Sequence, residues 1–251
     1  MMRAFLIVVV LFTVPGAWAA GEAGGGYEFT ADLSDQQALQ RGARTFVNYC
    51  LSCHSAAYMR YNRMGKDLGI PDIVLLENFM FGTDKVGDTM NVAMRKEDAT
   101  TYFGIAPPDL SVTARARGAE WLYNYMMTFY LDPSKPTGVN NLTFKDVAMP
   151  HVLWELQGWQ QAVYAEHTGA DGLPMKTIEH LELVAPPQGK PAVYQDESYE
   201  QTVSDLVNFM VYMGEPIKLQ RYSFGIWVIF YLVFLLIIVY FLKKEYWKDV
   251  H

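Results

Sequence analysis

The strongest pattern in the chain is an uninterrupted apolar stretch near its C-terminus. Residues 224–242 are 19 residues without a charge. At about 1.5 Å per helical residue they span about 28 Å, close to the ~30 Å hydrocarbon core of a bilayer. A buried helix is seldom apolar on every face, and Trp227 and Tyr240 stand near the two ends, where interfacial aromatic residues are common. The pattern predicts one C-terminal transmembrane helix.

A second, shorter apolar run lies at the N-terminus. Arg3 precedes apolar residues 4–14, and Ala17 and Ala19 place small side chains where a signal peptidase cleaves. The alternative is an N-terminal membrane anchor, which is disfavoured because the run is short and Pro15 follows it. The pattern therefore predicts a signal peptide that ends at Ala19.

These two segments divide the chain into four predicted parts. They are a signal peptide at 1–19, a periplasmic domain at 20–223, a transmembrane helix at 224–242 and a cytoplasmic tail at 243–251. Three lysines in the tail fit the basic character of cytoplasmic flanks. The signal peptide contributes most to the predicted orientation.

Helical periodicity recurs three times in the predicted periplasmic domain. Ser34 is the expected N-cap of the first helix, whose apolar positions lead to Cys50. A second helix is predicted at about 112–130, and a third begins near Ser198.

The segment between the second and third helices predicts little regular structure. Residues 131–200 are rich in proline and glycine, and only 178–183 suggests a short strand, with 162–166 as its candidate partner. The expected fold is therefore mainly α, with long loops, a candidate short β-hairpin and one C-terminal transmembrane helix.

Charge adds one constraint to this picture. The formal net charge is −7. Removal of Arg3 with the leader gives −8, and residues 224–251 carry +1, so the exported domain carries −9. An acidic surface attracts a basic partner, although the same charge also serves solubility alone. No nucleic-acid partner is expected.

The chain's only two cysteines form a motif with direct chemical meaning. Cys50 and Cys53 are followed at once by His54, and the spacing Cys-x-x-Cys-His is the attachment site of a c-type haem. Each thiol can bond one vinyl group of the porphyrin, and the histidine supplies an axial ligand to the iron. The motif predicts one covalently attached haem c.

Three other chemistries compete for the same motif. A zinc site needs four ligands, but the sequence has no second cysteine pair and its other histidines are scattered. A thioredoxin-like dithiol would open a helix after a strand, whereas a helical pattern precedes Cys50. A structural disulfide between Cys50 and Cys53 would leave His54 unexplained.

The second axial ligand is less sharply specified by the residues. Methionine opposite histidine is an arrangement of electron-transfer haems, and Met149, which an extended backbone before Pro150 would present, is the favoured candidate. Met175 is the runner-up, and His151 is a further candidate. An open distal side, as in a haem enzyme or gas sensor, also stays open.

Taken together, these features resemble the cytochrome c1 family. The haem motif follows an N-terminal helix, and Pro107-Pro108-Asp109-Leu110-Ser111 is followed by Arg115-Ala116-Arg117. The Met149-Pro150 loop and a C-terminal span with a lysine-rich tail complete the match, which covers nearly all of the mature chain.

The resemblance implies roles for particular residues. His54 and Met149 would be the axial ligands of the iron in a domain like that of class I cytochromes c. Pro107 and Pro108 would pack beside the haem, and Arg115 would lie near a haem propionate.

The resemblance also implies an electron relay without a catalytic acid, base or nucleophile of its own. It would accept an electron from the Rieske iron–sulfur protein of a ubiquinol–cytochrome c reductase and pass it to a c-type cytochrome. Cytochrome b and lipid would contact the membrane helix, in a dimeric complex of the bacterial inner membrane. The alternative is a free-standing membrane-anchored cytochrome c that serves a terminal oxidase.

Overall fold

The computed structural model describes residues 26–249 except 93, 169–173, 187 and 189–197. The predicted signal peptide lies outside the described residues. The helices are α1 Gln36–Thr45, α2 Tyr61–Leu68, α3 Asp72–Asn78, α4 Lys96–Phe103, α5 Thr113–Arg117, α6 Ala119–Met127, α7 Trp154–Gln157, α8 Tyr199–Gly214 and α9 Lys218–Tyr246, with a π-helical turn, Phe46–Cys50, directly after α1. The strands are β1 Ala56–Arg60, β2 Thr89–Met90, β3 Phe129–Leu131, β4 Val139–Asn141, β5 Trp159–Thr168 and β6 Pro174–Ala185.

Helices α1 and α8 cross at the centre of the core. Gly42 makes the close approach feasible, since a Cβ there would lie only 2.0 Å from the backbone oxygen of Asp205. Arg41 Nε donates to Asp205 Oδ2 at 2.6 Å, and the carboxylate has no exposed surface. Phe46 and Phe209 bring their ring centroids to 5.6 Å. The crossing fixes the direction in which α1 delivers the cysteine motif.

The start of α1 differs from the sequence-based expectation by one residue. Its N-cap is Asp35, whose carboxylate accepts hydrogen bonds from the backbone amides of Gln37 and Ala38. The Ser34 hydroxyl instead donates to the Asp32 carboxylate at 2.6 Å. Asp35 therefore takes the capping role because Ser34 is held in a turn of its own.

The second predicted helix, 112–130, is two short helices followed by a strand. Gly118 separates α5 from α6 and has a φ of 92°, a backbone region that glycine adopts and other residues avoid. The chain then leaves the helical conformation and enters β3 at Phe129. The break gives α5 and α6 independent directions around the site described below.

The β structure is larger than the expected short hairpin. One sheet has the order β4-β3-β5-β6, in which β3 pairs antiparallel with β4 and parallel with β5. Strands β5 and β6 are antiparallel and have ten and twelve residues. Residues 162–166, expected to pair with 178–183, pair with residues between 176 and 181. Strands β1 and β2 form a separate two-stranded sheet.

Helix α9 is the candidate membrane span. It has 29 residues, and the mean hydropathy of its most apolar 18-residue window is 2.8. None of that window is buried within the chain. Its length and composition fit a single crossing of a membrane, as the apolar stretch 224–242 predicts.

The crossing of α1 and α8 generates a stability prediction. Gly42→Ala should lower the free energy of unfolding by about 2 kcal/mol, because the new methyl group overlaps the α8 backbone. This cost exceeds the gain of about 1 kcal/mol expected from alanine in a helix. Thermal unfolding of the detergent-solubilised full-length chain, followed by circular dichroism, measures the difference. Gly87→Ala is the control, since nothing lies within 4 Å of a Cβ there, and equal melting temperatures for the two variants would contradict the prediction.

Candidate functional site

A cavity of about 440 Å³ opens beside the end of the π-helical turn. Its wall combines the predicted site residues with apolar side chains from α6, α8 and two loops. Six of the residues singled out from the sequence line it, namely Cys50, Cys53, His54, Pro107, Pro108 and Met149. The fold thus brings together residues that are as far apart as 99 positions in the chain.

The cysteine motif forms a tight turn at one end of the cavity. The amides of Cys53 and His54 both donate to the Cys50 carbonyl, at 3.1 and 2.8 Å. Both thiols are free. Burial, with a smaller effect from Cys53, raises the pKa of Cys50 to about 12. Both sulfur atoms are therefore held at the cavity wall, and the Cys50 thiol is protonated at neutral pH.

A hydrogen bond fixes the orientation of the His54 ring. Its Nδ1 lies 2.7 Å from the backbone oxygen of Pro108, so Nδ1–H is the donor and Nε2 keeps its lone pair. Burial lowers the pKa of His54, against smaller opposing effects from Pro108 and Asp109. The neutral ring therefore has one nitrogen free to act as a ligand, the arrangement common in metal-binding histidines.

The segment 107–111 is held against the chain that follows the cysteine motif. The Leu110 amide donates to the Ser55 carbonyl at 2.8 Å, and the Ala57 amide donates to Asp109 Oδ2 at 2.9 Å. Burial raises the pKa of Asp109, but the hydrogen bonds from Ser111 and Ala57 outweigh it and the net shift is downward. An ionised Asp109 thus pins this segment beside His54.

Met149 reaches the cavity from the loop before Pro150. The Tyr125 hydroxyl donates to Met149 Sδ at 3.4 Å, and burial raises the pKa of Tyr125 so that its proton is retained. Met126 and Met210 also line the cavity, from α6 and α8. The sequence pattern does not reveal this contact, because the hydroxyl and the sulfur are 24 residues apart and leave no local signal.

Other candidates from the sequence lie elsewhere. Met175 is 53% exposed on β6, where it pairs with His167. His151 is buried and stacks on Phe129 with ring centroids 4.9 Å apart, and burial lowers its pKa to about 4. Neither Met175 nor His151 is among the residues that line the cavity.

Arg115 lies outside the wall of this cavity. Its Nη1 forms an ion pair with Glu215 Oε2 at 2.9 Å, and it lines a different depression from the cavity. Arg117 lines the cavity instead, with its guanidinium 5.0 Å from the centroid of the Trp121 ring. Residues two positions apart on a helix point in nearly opposite directions, which explains why only one of the two arginines faces the cavity.

The surroundings of the cysteine motif differ from those of a thioredoxin-like dithiol and of a zinc site. Cys50 ends the helical turn Phe46–Cys50 rather than opening a helix after a strand, so the setting of a thioredoxin-like dithiol is missing. Within the part of the chain that the structure describes, no group of three or more His, Cys, Asp and Glu side chains is placed to hold a metal ion.

Comparison with known proteins decides the family. The model of the Cytochrome C1 family matches residues 27–250. The chain belongs to the cytochrome c1 family. It is 46% identical to cytochrome c1 of Allochromatium vinosum over the full length of both chains. It is 45% identical to a Nitrosomonas europaea protein named ammonia monooxygenase gamma subunit, over 100% of this chain and 99% of that one. It is 26% identical to cytochrome c1 of Rhodospirillum rubrum, over 86% of this chain and 83% of that one.

Membership of this family carries a general assignment. Cytochrome c1 is an electron-carrying haem subunit of a bc1-type reductase complex, and the family implies haem c as the cofactor. The relatives support the bacterial type, and the apolar helix α9 fits a single membrane span.

Proposed function

We propose that this chain carries one electron at a time from the Rieske iron–sulfur protein to a c-type cytochrome within a bacterial ubiquinol–cytochrome c reductase. The observation that supports this most directly is the cavity whose wall holds two thiols, an oriented imidazole and a thioether. Haem c, when bound, supplies a one-electron redox centre. The chain's residues hold this group, orient its ligands and set the polarity of its surroundings.

The cysteine motif attaches the cofactor. Cys50 and Cys53 would hold one haem through thioether bonds, formed by adding each S–H across a vinyl group, and His54 Nε2 would bind the iron. The hydrogen bond from His54 Nδ1–H to Pro108 keeps the ring in the tautomer that leaves Nε2 free. Pro107 and Pro108 line the cavity with His54 and would pack beside the haem.

Met149 would supply the second protein ligand of the iron in this proposal. It lies on a loop, where an extended backbone before Pro150 can present the sulfur, whereas Met126 and Met210 lie on the packed helices α6 and α8. Thioether ligation opposite histidine favours the reduced iron and raises the potential. The Tyr125 hydroxyl holds the Met149 sulfur in place.

Arg117 takes the role beside a haem propionate that the family resemblance implied for Arg115. It lines the cavity and has no carboxylate within ion-pair distance among the described residues. A guanidinium in this position offsets the negative charge of a propionate through charge-assisted hydrogen bonds.

The membrane arrangement follows from the two apolar segments. The signal peptide at 1–19 would export the haem domain, residues 20–223, to the periplasm of a bacterium. Helix α9 would cross the inner membrane and leave 243–251 in the cytoplasm. Cytochrome b and lipid would contact the exposed apolar face of α9, within a dimeric complex.

A subunit census of the complex tests the proposed function. The tagged chain, purified from its native membranes in mild detergent, should bring with it a b-type cytochrome and a Rieske protein and should reduce a c-type cytochrome with ubiquinol. Isolation without a b-type cytochrome would favour a free-standing membrane-anchored cytochrome c that serves an oxidase. Because the relative from Nitrosomonas europaea bears a different name, the census also distinguishes a reductase from a monooxygenase complex.

Exchange of the distal ligand gives a sharper test of the site. Met149→Leu preserves volume but removes the thioether, so the reduced protein should lose its six-coordinate low-spin spectrum, bind carbon monoxide and show a lower midpoint potential. Absorption spectroscopy and redox titration measure these changes. Met126→Leu and Met175→Leu are the controls and should keep the wild-type spectrum. If Met126→Leu alone bound carbon monoxide, the ligand assignment would move to α6.

Loss of the Tyr125 hydroxyl should change the potential without changing the ligands. A hydrogen bond to the sulfur weakens its donation to ferric iron, so Tyr125→Phe should lower the midpoint potential. A net hydrogen-bond contribution of about 1 kcal/mol corresponds to about 40 mV for a one-electron couple. The low-spin spectrum should persist. Tyr123→Phe on the same helix, outside the cavity lining, is the control, and an equal shift in both variants would refute a specific effect on Met149.

A further inference from the structure

A second depression lies where the haem domain meets α9. Its volume is about 610 Å³, and its walls come from the segment 29–31, from α5 and the start of α6, from the end of α8 and from the first turn of α9. It shares Arg117 and Trp121 with the wall of the haem cavity but has its own lining otherwise. The proposed electron transfer makes no use of this depression.

The depression is cationic although the chain as a whole is acidic. Four cationic side chains and two carboxylates line it, namely Arg115, Arg117, Lys218, Arg221, Glu120 and Glu215. The excess of positive charge is local, because the formal net charge of the chain is −7. A concave surface of this sign selects an anionic ligand.

Several donors in the depression are available to a ligand. Glu215 accepts hydrogen bonds from Arg221 and forms an ion pair with Arg115, and the Arg221 hydrogen bond is the main cause of its lowered pKa. The two arginine side chains are still 62% and 50% exposed, and each guanidinium has five N–H groups. Lys218 has no carboxylate within ion-pair distance among the described residues. One carboxylate therefore positions two guanidinium groups without using all their donors.

The depth of these donors relative to the membrane points to the kind of anion. The apolar stretch begins at Phe224, so Arg221 and Lys218 stand about 4.5 and 9 Å above it along α9. The polar layer of a bilayer extends about 5–8 Å beyond the hydrocarbon core on each side. Arg221 therefore lies within this polar layer and Lys218 just beyond its outer edge, from which a lysine side chain can reach back to a lipid phosphate.

The remaining lining suits a lipid better than a free ion. Phe29 and Trp121 are partly buried in the wall, and Tyr222 is 56% exposed at the start of α9. The guanidinium of Arg221 lies 4.8 Å from the centroid of the Tyr222 ring. Aromatic rings beside cationic groups can cover the glycerol and first acyl carbons of a lipid while the cations bind its phosphate.

We propose that this depression binds the phosphate group of an anionic phospholipid from the adjacent leaflet, with Lys218, Arg221 and Arg115 as its ligands. The proposal requires only that α9 crosses a membrane, and it is independent of the electron-transfer assignment. A bound lipid would seat the haem domain on the membrane surface beside its own helix.

Lipid retention by the haem-loaded full-length chain tests the proposal. The chain is placed in bilayer discs of phosphatidylcholine with a minor share of phosphatidylglycerol, and native mass spectrometry counts the phosphatidylglycerol that stays bound after mild extraction. Wild type should retain one. Lys218→Gln combined with Arg221→Gln should weaken retention about thirty-fold, from two basic residues near a membrane surface. Lys66→Gln combined with Lys96→Gln removes the same charge outside the depression and should change nothing.

Three results would count against the proposal. No phosphatidylglycerol on wild type, or equal retention by both double variants, would overturn it. Displacement of the lipid by millimolar inorganic phosphate would show a site for a free anion instead. Lys218→Glu leaves the pair of Arg221 and Glu215 intact and should also abolish retention, so misfolding of the double variant does not remove the test. An unchanged haem spectrum and melting temperature establish that each variant is folded.

Discussion

A short row of hydrogen bonds between residues 54–57, which lead into β1, and the loop 107–111 is the constraint on which the candidate site depends. Residues 54–57 and 107–111 pair through the Leu110 amide, the Asp109 carboxylate and the Pro108 carbonyl. Neither segment lies in a helix at these contacts, so the hydrogen bonds give each its shape. The same contacts hold the His54 ring, so the imidazole, the two prolines and the cysteine turn move as one unit.

The crossing of α1 and α8 sets the position of that unit in the fold. The motif begins at the end of the helical turn that extends α1, so the angle of α1 decides where both thiols lie. Gly42 allows the backbones to approach, and the buried pair of Arg41 and Asp205 holds the crossing in register. Helix α8 also contributes Met210 to the cavity wall. The packing that stabilises the core therefore also sets the position of the site.

Local signals made part of this arrangement predictable. The spacing from Cys50 to His54 and the apolar run of α9 are both complete within one short stretch of sequence. The break at Gly118 and the extent of β5 and β6 were missed, because backbone conformation and strand pairing there depend on distant partners. The role of Tyr125 was hidden for a similar reason, since a tyrosine in an apolar stripe resembles a core residue until its partner Met149 is in place.

The two arginines of the segment 115–117 point to different sides of α5 and contact different parts of the molecule. At 3.6 residues per turn, Arg115 and Arg117 point about 200° apart on α5. Arg117 therefore faces the haem cavity, while Arg115 meets Glu215, which also binds Arg221 at the start of α9. Helix α5 thus connects the wall of the cavity to the start of α9. A change at Arg117 therefore acts on the walls of both the cavity and the cationic depression, whereas a change at Glu215 acts on the depression alone.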